Sequence, residues 1–216
     1  MSLQQKLDET TAYFNANLPP EASKIFLDTL EAGISNHITE NALSEGDYVE
    51  DFTLPSSTGE TFNLSNKLVK GPVVLFFYRG SWCPYCNLTL KAYQDILDKI
   101  QGQNASLVAV TPEFPHKAQE TRTKEGLAFD VITDEHNQLA GKFGLIFDQK
   151  NITTELLKTI GFDFEDFYGP DHENLLPIPG TFIIDTNGKV AFSYVNPNYR
   201  ERLEPVELVD ALMDLN

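Results

Sequence analysis

The sequence predicts an α/β fold, a central mixed sheet flanked by helices, with a helical extension ahead of it. Three observations point there. An unbroken apolar run at 73–78 has the character of a strand buried on both faces, and 106–110 reads as the next buried strand. Segments of helical periodicity separate them, and β-α-β alternation favours right-handed crossovers in an α/β architecture. The chain then closes in a different order, β-β-α, with Thr186-Asn187-Gly188 as a hairpin turn. One core is expected, because 216 residues suffice for a domain of ~150 to 170 residues plus an appendage.

Each element follows from local pattern. Leu3, Leu7 and Phe14, with Tyr13, lie near helical spacing until Pro19-Pro20 interrupt them, and Ile25, Phe26, Leu30 and Ile34 repeat the pattern. Two amphipathic helices are therefore expected within residues 1–45, their apolar faces covering the main domain or pairing with another subunit in a homodimer. The domain spanning 46–216 opens with two short apolar segments around Thr58-Gly59, a hairpin signal. After the first buried strand, Leu88, Ala92, Tyr93, Ile96, Leu97 and Ile100 predict one helix running to Gly102. A strand at 106–110, a helix from Pro115 to about Glu125 and a short strand at 129–133 follow. Asn137 to Phe143 reads as a short helix closed by Gly144. Residues 146–177 lack clear periodicity, and Phe162, Phe164, Phe167 and Tyr168 among acidic residues suit a lid, a dimer contact or a loop over the core. Strands at 181–185 and 189–195 and a helix at 203–213 end the chain. A central β-α-β unit followed by a hairpin and a helix is the outline of a thioredoxin-like fold.

Composition narrows the function. A net charge of −16 argues against nucleic acid and anionic membranes as partners, since phosphate binding needs a basic surface. The N-terminus has no basic start followed by an apolar run, and no stretch approaches the roughly 20 apolar residues of a membrane span, so a cytoplasmic location is expected. Two cysteines form no disulfide framework; three residues apart, they suit redox catalysis, redox sensing or metal binding.

Both cysteines lie in FFYRGSWCPYCN, residues 76–87. A buried strand, a turn and a helix start place Cys83 and Cys86 where unpaired N–H groups and the helix dipole favour a thiolate. Such a setting lowers a cysteine pKa from about 8.5 into a range of roughly 3.5 to 7.5. Pro84 suits the first helical turn, Trp82 and Tyr85 border the sulfurs, and Arg79 is the only cation of the stretch. Two packing cysteines would not need this tryptophan–proline frame. A structural zinc site needs four ligands, and none of His37, His116, His136 and His172 stands at the required spacing. Neither metal nor cofactor is expected, and a dithiol–disulfide redox site is.

FFYRGSWCPYC, DEHNQLAGKFGL and IPGTFIIDTNGKV together resemble the peroxiredoxins of the alkyl hydroperoxide reductase and thiol-specific antioxidant (AhpC/TSA) superfamily, over about residues 46 to 215. The branch resembled carries a thioredoxin-type CxxC. The family pattern P-x-x-x-[TS]-x-x-C, laid on this chain, puts Cys86 at the peroxidatic cysteine, Cys83 at the hydroxyl residue and Arg79 at the proline. Pro179 stands where such proteins have an arginine ahead of Thr-Phe, and resembles instead the cis-proline of thioredoxins. In thioredoxins Cys83 would attack and Cys86 resolve, while the buried aspartate of those proteins is replaced by Phe77.

The resemblance implies a thioredoxin-dependent, peroxiredoxin-like peroxidase. A thiolate attacks the hydroperoxide, becomes a sulfenic acid and condenses to a Cys83–Cys86 disulfide, which a thioredoxin- or glutathione-type reductant resets. It implies Cys86 as attacker, Cys83 as resolver and Arg79 as local positive charge, with Trp82 and Pro179 binding substrate. The alternatives are a thiol–disulfide oxidoreductase without peroxidase activity and a redox-regulated binding module formed with the N-terminal helices.

Overall fold

The apolar repeats at the N-terminus fold as α1 (Leu3–Asn17) and α2 (Pro20–Ser35). A capping box starts α1: Gln5 N–H donates to Ser2 Oγ, and Ser2 N–H donates to Gln5 Oε1. Pro20 opens α2 at the first helical position, where its missing N–H costs nothing. A computed structural model describes residues 1–215. None of its helices is long and apolar enough to cross a membrane.

The expected hairpin forms from β1 (Thr53–Pro55) and β2 (Thr61–Asn63), followed by the short α3 (Leu64–Leu68). Next come β3 (Val73–Phe77), α4 (Pro84–Gln94), α5 (Leu97–Gly102), β4 (Ser106–Thr111), α6 (Pro115–Lys124) and β5 (Asp130–Thr133). A tight turn leads into α7 (Gln138–Lys142), whose Leu139 and Ala140 N–H groups donate to the buried Asp134 carboxylate at 2.8 Å each. The remaining elements are β6 (Ile146–Asp148), α8 (Asn151–Thr159), α9 (Glu165–Tyr168), β7 (Leu175–Pro177), β8 (Gly180–Ile184), β9 (Val190–Val195) and α10 (Pro205–Met213).

Five strands form one mixed sheet in the order β5-β4-β3-β8-β9. β3, β4 and β5 run parallel, and β8 and β9 pair antiparallel, as the β-α-β then β-β-α order requires. Alternate side chains of β3 enter two cores. Val74 and Phe76, with Tyr78 just beyond, pack beside both cysteines, Leu90 and Tyr93; Val73, Leu75 and Phe77 pack on the other face with Phe143 and Phe182. Because every residue of β3 is buried, the strand reads as an unbroken apolar run.

Two expectations need correction. The single helix running to Gly102 is two, since Ile96 (φ −112°, ψ 9°) leaves helical geometry between α4 and α5. Residues on both sides of the break, Leu90 and Tyr93, then Leu97 and Ile100, stay in one core, which is why their spacing reads as continuous. The last helix starts at Pro205 and not at 203, because Leu203 is core-buried ahead of the helix and Glu204 takes the cap position.

The N-terminal helices pack on the rest of the chain. Leu3 and Leu7 are buried in the same core as Leu90 and Tyr93, where α1 packs on α4. The first N–H groups of α1, from Leu3 and Gln4, donate to the Glu204 carboxylate at 3.1 and 2.7 Å. α2 packs on α8, with Thr29 and Thr153 hydroxyls 2.9 Å apart.

Candidate active site

β3 runs into the loop 79–82, and Cys83 is the N-cap of α4 with Pro84 at its first helical position. The N–H groups of Cys86 and Asn87 both donate to Cys83 O at 3.1 Å, closing the first turn. That turn sets Cys86 Sγ 2.9 Å from Cys83 Sγ, both thiols free and fully buried. Arg79, itself only 5 % exposed, donates from Nη2 to Cys83 Sγ at 3.3 Å. Its guanidinium carbon lies 4.0 Å from the Tyr199 ring centre and 5.3 Å from that of Trp82.

This geometry separates two chemically identical side chains. Burial pushes the Cys83 thiol up, but the hydrogen bond from Cys86 and the charges of Arg79 and Arg202 outweigh it and hold Cys83 well below the ordinary thiol range. Burial, and then donation of its proton towards Cys83, pushes Cys86 well above that range. Of the two sulfurs, the geometry thus favours Cys83 for the negative charge, with Cys86 in reach as the proton-bearing partner.

More distant parts of the chain fix the loop. Ser81 N–H and Oγ–H donate to the fully buried Glu113 carboxylate at 2.8 and 2.6 Å, and Asn87 Nδ2 donates to Ser81 O at 2.7 Å. Trp82 Nε1–H donates to Tyr168 Oη, which donates in turn to Arg79 O at 2.7 Å. Phe164 packs on the Trp82 ring, centroids 5.1 Å apart. Gly80 lies within this bracket: a Cβ there would meet Trp82 Nε1 at 2.7 Å and Tyr168 Oη at 2.9 Å.

A cavity of about 270 Å³ opens over Cys83, bordered by Arg79, Trp82, Tyr85 and Tyr199. Its outer walls come from Phe14 and Leu18 at the end of α1, Phe26 of α2, and Leu157 and Phe162 at and beyond α8. Cys86 does not line it.

The structure brings Cys83, Cys86, Arg79 and Trp82 together, and places Pro179 on a neighbouring cavity that Arg79 also borders. Pro179 shares with Arg79 and Tyr199 a smaller cavity that neither cysteine lines. The described residues contain no cis peptide bond, so the cis-proline implied by the likeness to thioredoxins is not formed. Pro179 lies in the short link between β7 and β8, where both flanking strands are extended and a trans bond carries the chain straight on. Phe77 faces the core on the far side of the sheet from the thiols. Among the described residues no three His, Cys, Asp or Glu side chains gather as metal ligands would.

Tyr168, Tyr199, Arg202 and Glu113 belong to the site and were not singled out for it from sequence. Tyr168 carried a signal, an aromatic cluster in a segment without periodicity; the other three carried none.

The AhpC/TSA family model matches residues 46–193. The chain is 26% identical over 151 residues to peroxiredoxin Bcp of Escherichia coli, covering 69% of this chain and 84% of the relative. It is also 26% identical over 161 residues to a chloroplastic peroxiredoxin Q of Oryza sativa subsp. japonica, covering 74% of this chain and 63% of that protein. Among solved structures, peroxidoxin BcpB of Mycobacterium tuberculosis superposes with a TM-score of 0.62 at 24% identity, covering 81% of this chain and 99% of that one. The family match spans more than half the sequence and contains both thiols, so the chain belongs to the AhpC/TSA family, a peroxiredoxin-like member of the thioredoxin-like superfamily.

Proposed function

We propose that the chain is a thiol-dependent peroxidase in which Cys83 attacks the hydroperoxide and Cys86 resolves. The observation that carries this order is the contact of Cys83 Sγ with both the Arg79 guanidinium and the Cys86 thiol, at a cavity that Cys83 lines and Cys86 does not. The alignment to the family pattern favours the opposite order; the local electrostatics favour this one.

In the first step Cys83 thiolate attacks the terminal oxygen of ROOH. The O–O bond breaks, sulfur is oxidised to sulfenic acid, and RO⁻ leaves to take a proton as ROH. Arg79 holds positive charge beside the sulfur where negative charge redistributes. Cys86 sulfur then attacks the sulfenic sulfur; an S–S bond forms, the S–O bond breaks, and the thiol proton leaves with the hydroxyl as water. Two thiols of a thioredoxin-type reductant restore the dithiol and become a disulfide themselves. Such a cycle needs a reducing compartment, which agrees with the cytoplasm.

The test uses single variants with hydrogen peroxide and a thioredoxin system. Cys83→Ser is expected to lose turnover entirely. Cys86→Ser should complete one oxidation and stop at a sulfenic acid on Cys83 that dimedone traps. Trapping of sulfenic acid on Cys86 in the Cys83→Ser protein, and none in Cys86→Ser, reverses the order. If the wild-type protein consumes no peroxide above the free-thiol rate, the peroxidase reading fails.

A further inference from the structure

Gln149 is a buried amide whose oxygen the fold leaves unbonded. It stands between two exposed charged residues, Asp148 and Lys150, where β6 passes into α8. The Gln149 N–H donates to Asn174 O at 3.0 Å, and the Lys150 N–H donates to Asp148 Oδ1 at 2.9 Å. Lys150 is held at φ 65°, ψ 141°, a combination strained for any residue but glycine. This turn carries the Gln149 side chain inwards: the residue is 4 % exposed, and its Oε1 has no hydrogen-bond partner among the described residues. A buried acceptor left unpaired is costly, and one kept at a strained turn points to a donor that reaches it in another state of the protein.

The matching donor is Arg79. Four residues, Phe26, Arg79, Gln149 and Tyr199, border both the cavity over Cys83 and the smaller cavity beside Pro179, and so form the wall between them. The smaller cavity has a volume of about 20 Å³, room for about one water, which puts Arg79 and Gln149 within side-chain reach of each other. Arg79 Nη2 donates to Cys83 Sγ, but its Nε is buried without a partner. No Asp or Glu borders either cavity, and Arg79 takes part in no ion pair among the described residues. The charge that answers this guanidinium is therefore that of the Cys83 sulfur, and it depends on redox state.

Disulfide formation takes two electrons and the Cys86 proton from the pair, to the hydroperoxide in the cycle above or to another oxidant such as a disulfide. The S–S bond forms, the Cys83 sulfur becomes neutral, and the charge-assisted bond from Arg79 is lost. We propose that Gln149 is a positioning residue that receives Arg79 in the oxidised protein. Arg79 Nε–H then donates to Gln149 Oε1, so that the guanidinium, released from Cys83, stays in the wall between the two cavities. Gln149 thereby stabilises the disulfide over the dithiol and makes the pair a weaker oxidant.

The full chain is equilibrated with glutathione and glutathione disulfide at stepped ratios, and the oxidised fraction is read by mass after alkylation of free thiols. Glutathione disulfide takes up both electrons and the proton as glutathione. Gln149→Met keeps the size of the side chain and removes its oxygen. It should lower the equilibrium constant for disulfide formation about tenfold, a rise in reduction potential of about 30 mV. Gln149→Glu supplies a charged acceptor and should move the constant the other way. In an Arg79→Met background Gln149→Met should change nothing, since the donor is gone. The pH profile of Cys83 alkylation in the reduced protein should not move with Gln149→Met, whereas a general loosening of the site shifts it. In the wild type, the Arg79 Nε–H resonance, identified by its loss in Arg79→Lys, should move downfield and gain protection from exchange on oxidation.

An unchanged potential in Gln149→Met, a shift that persists in the Arg79→Met background, or an Nε–H resonance indifferent to oxidation overturns the proposal. The proposal rests on the Cys83–Cys86 disulfide of the peroxidase cycle and not on peroxide turnover. If the wild type consumes no peroxide while these shifts are seen, the peroxidase reading alone falls. If glutathione disulfide produces no Cys83–Cys86 disulfide, the resolving step and the proposal fall together.

Discussion

Cys83 and Cys86 differ in position by one helical turn, and that difference assigns their protons. Cys83 receives a hydrogen bond from Cys86 and faces Arg79, while Cys86 donates from a fully buried site. Iodoacetamide should therefore alkylate Cys83 down to pH values well below the ordinary thiol pKa of about 8.5, with Cys86 unreactive there. Cys86→Ala removes the donor and should move the Cys83 profile upwards. The sign of the stability effect follows from the lowered folded-state value of Cys83. The thiolate stabilises the fold fully above the unfolded pKa, and this contribution is lost as pH falls through the folded pKa. Relative to Cys83→Ser, the wild type should thus lose stability on acidification through that window, read by urea denaturation at stepped pH. Arg79→Met removes a charged donor from sulfur and should lower peroxide kcat/KM by about 10- to 100-fold, with Arg79→Lys recovering part of it. These residues are legible in sequence because they fall within one strand–turn–helix stretch. Arg202 and Tyr199 are not, because only the tertiary fold returns that late loop to the thiols.

At the scale of elements, the segment between β6 and β7 shows what local pattern conceals. β6 and β7 have only three residues each, too few for a period to register, yet they pair with each other and enclose α8 and α9. The amphipathic pattern of the N-terminal helices, by contrast, is long enough to read. Of the roles expected for Phe162, Phe164 and Tyr168, the one seen is a cover over this chain's own site: Phe164 packs on Trp82 and Tyr168 binds Arg79 O. Tyr168→Phe would leave Trp82 Nε1–H and the Arg79 carbonyl without their partner. A loss of about 1 to 3 kcal/mol is expected from urea denaturation, because both groups belong to a largely buried bracket. Loosening α9 should also raise the rate of Cys83 alkylation at constant pH. Unchanged alkylation together with the full stability loss would make α9 a structural brace and not a cover.

For the whole molecule, the question is whether the first 45 residues are an appendage or part of the folding unit. Their apolar residues are not confined to an interface with one element. Leu3 and Leu7 enter the core that holds both cysteines, α2 rests on α8, and the start of α1 is held by the Glu204 carboxylate at the other end of the chain. The same two helices supply walls of the cavity over Cys83, so cooperativity and site architecture are coupled here. Leu7 is fully buried, and Leu7→Ala should remove about 2 to 5 kcal/mol, the cost of a large-to-small change inside a packed core. If the chain unfolds as one unit, that loss shifts the whole urea transition with its slope retained, and fluorescence of Trp82 and far-ultraviolet circular dichroism move together. An independently folding extension would instead give two separated transitions, with the Trp82 transition unmoved by Leu7→Ala. The shared core predicts the first outcome, since removing Leu7 leaves a void inside the core where α1 packs on α4 and not at a solvent-facing seam.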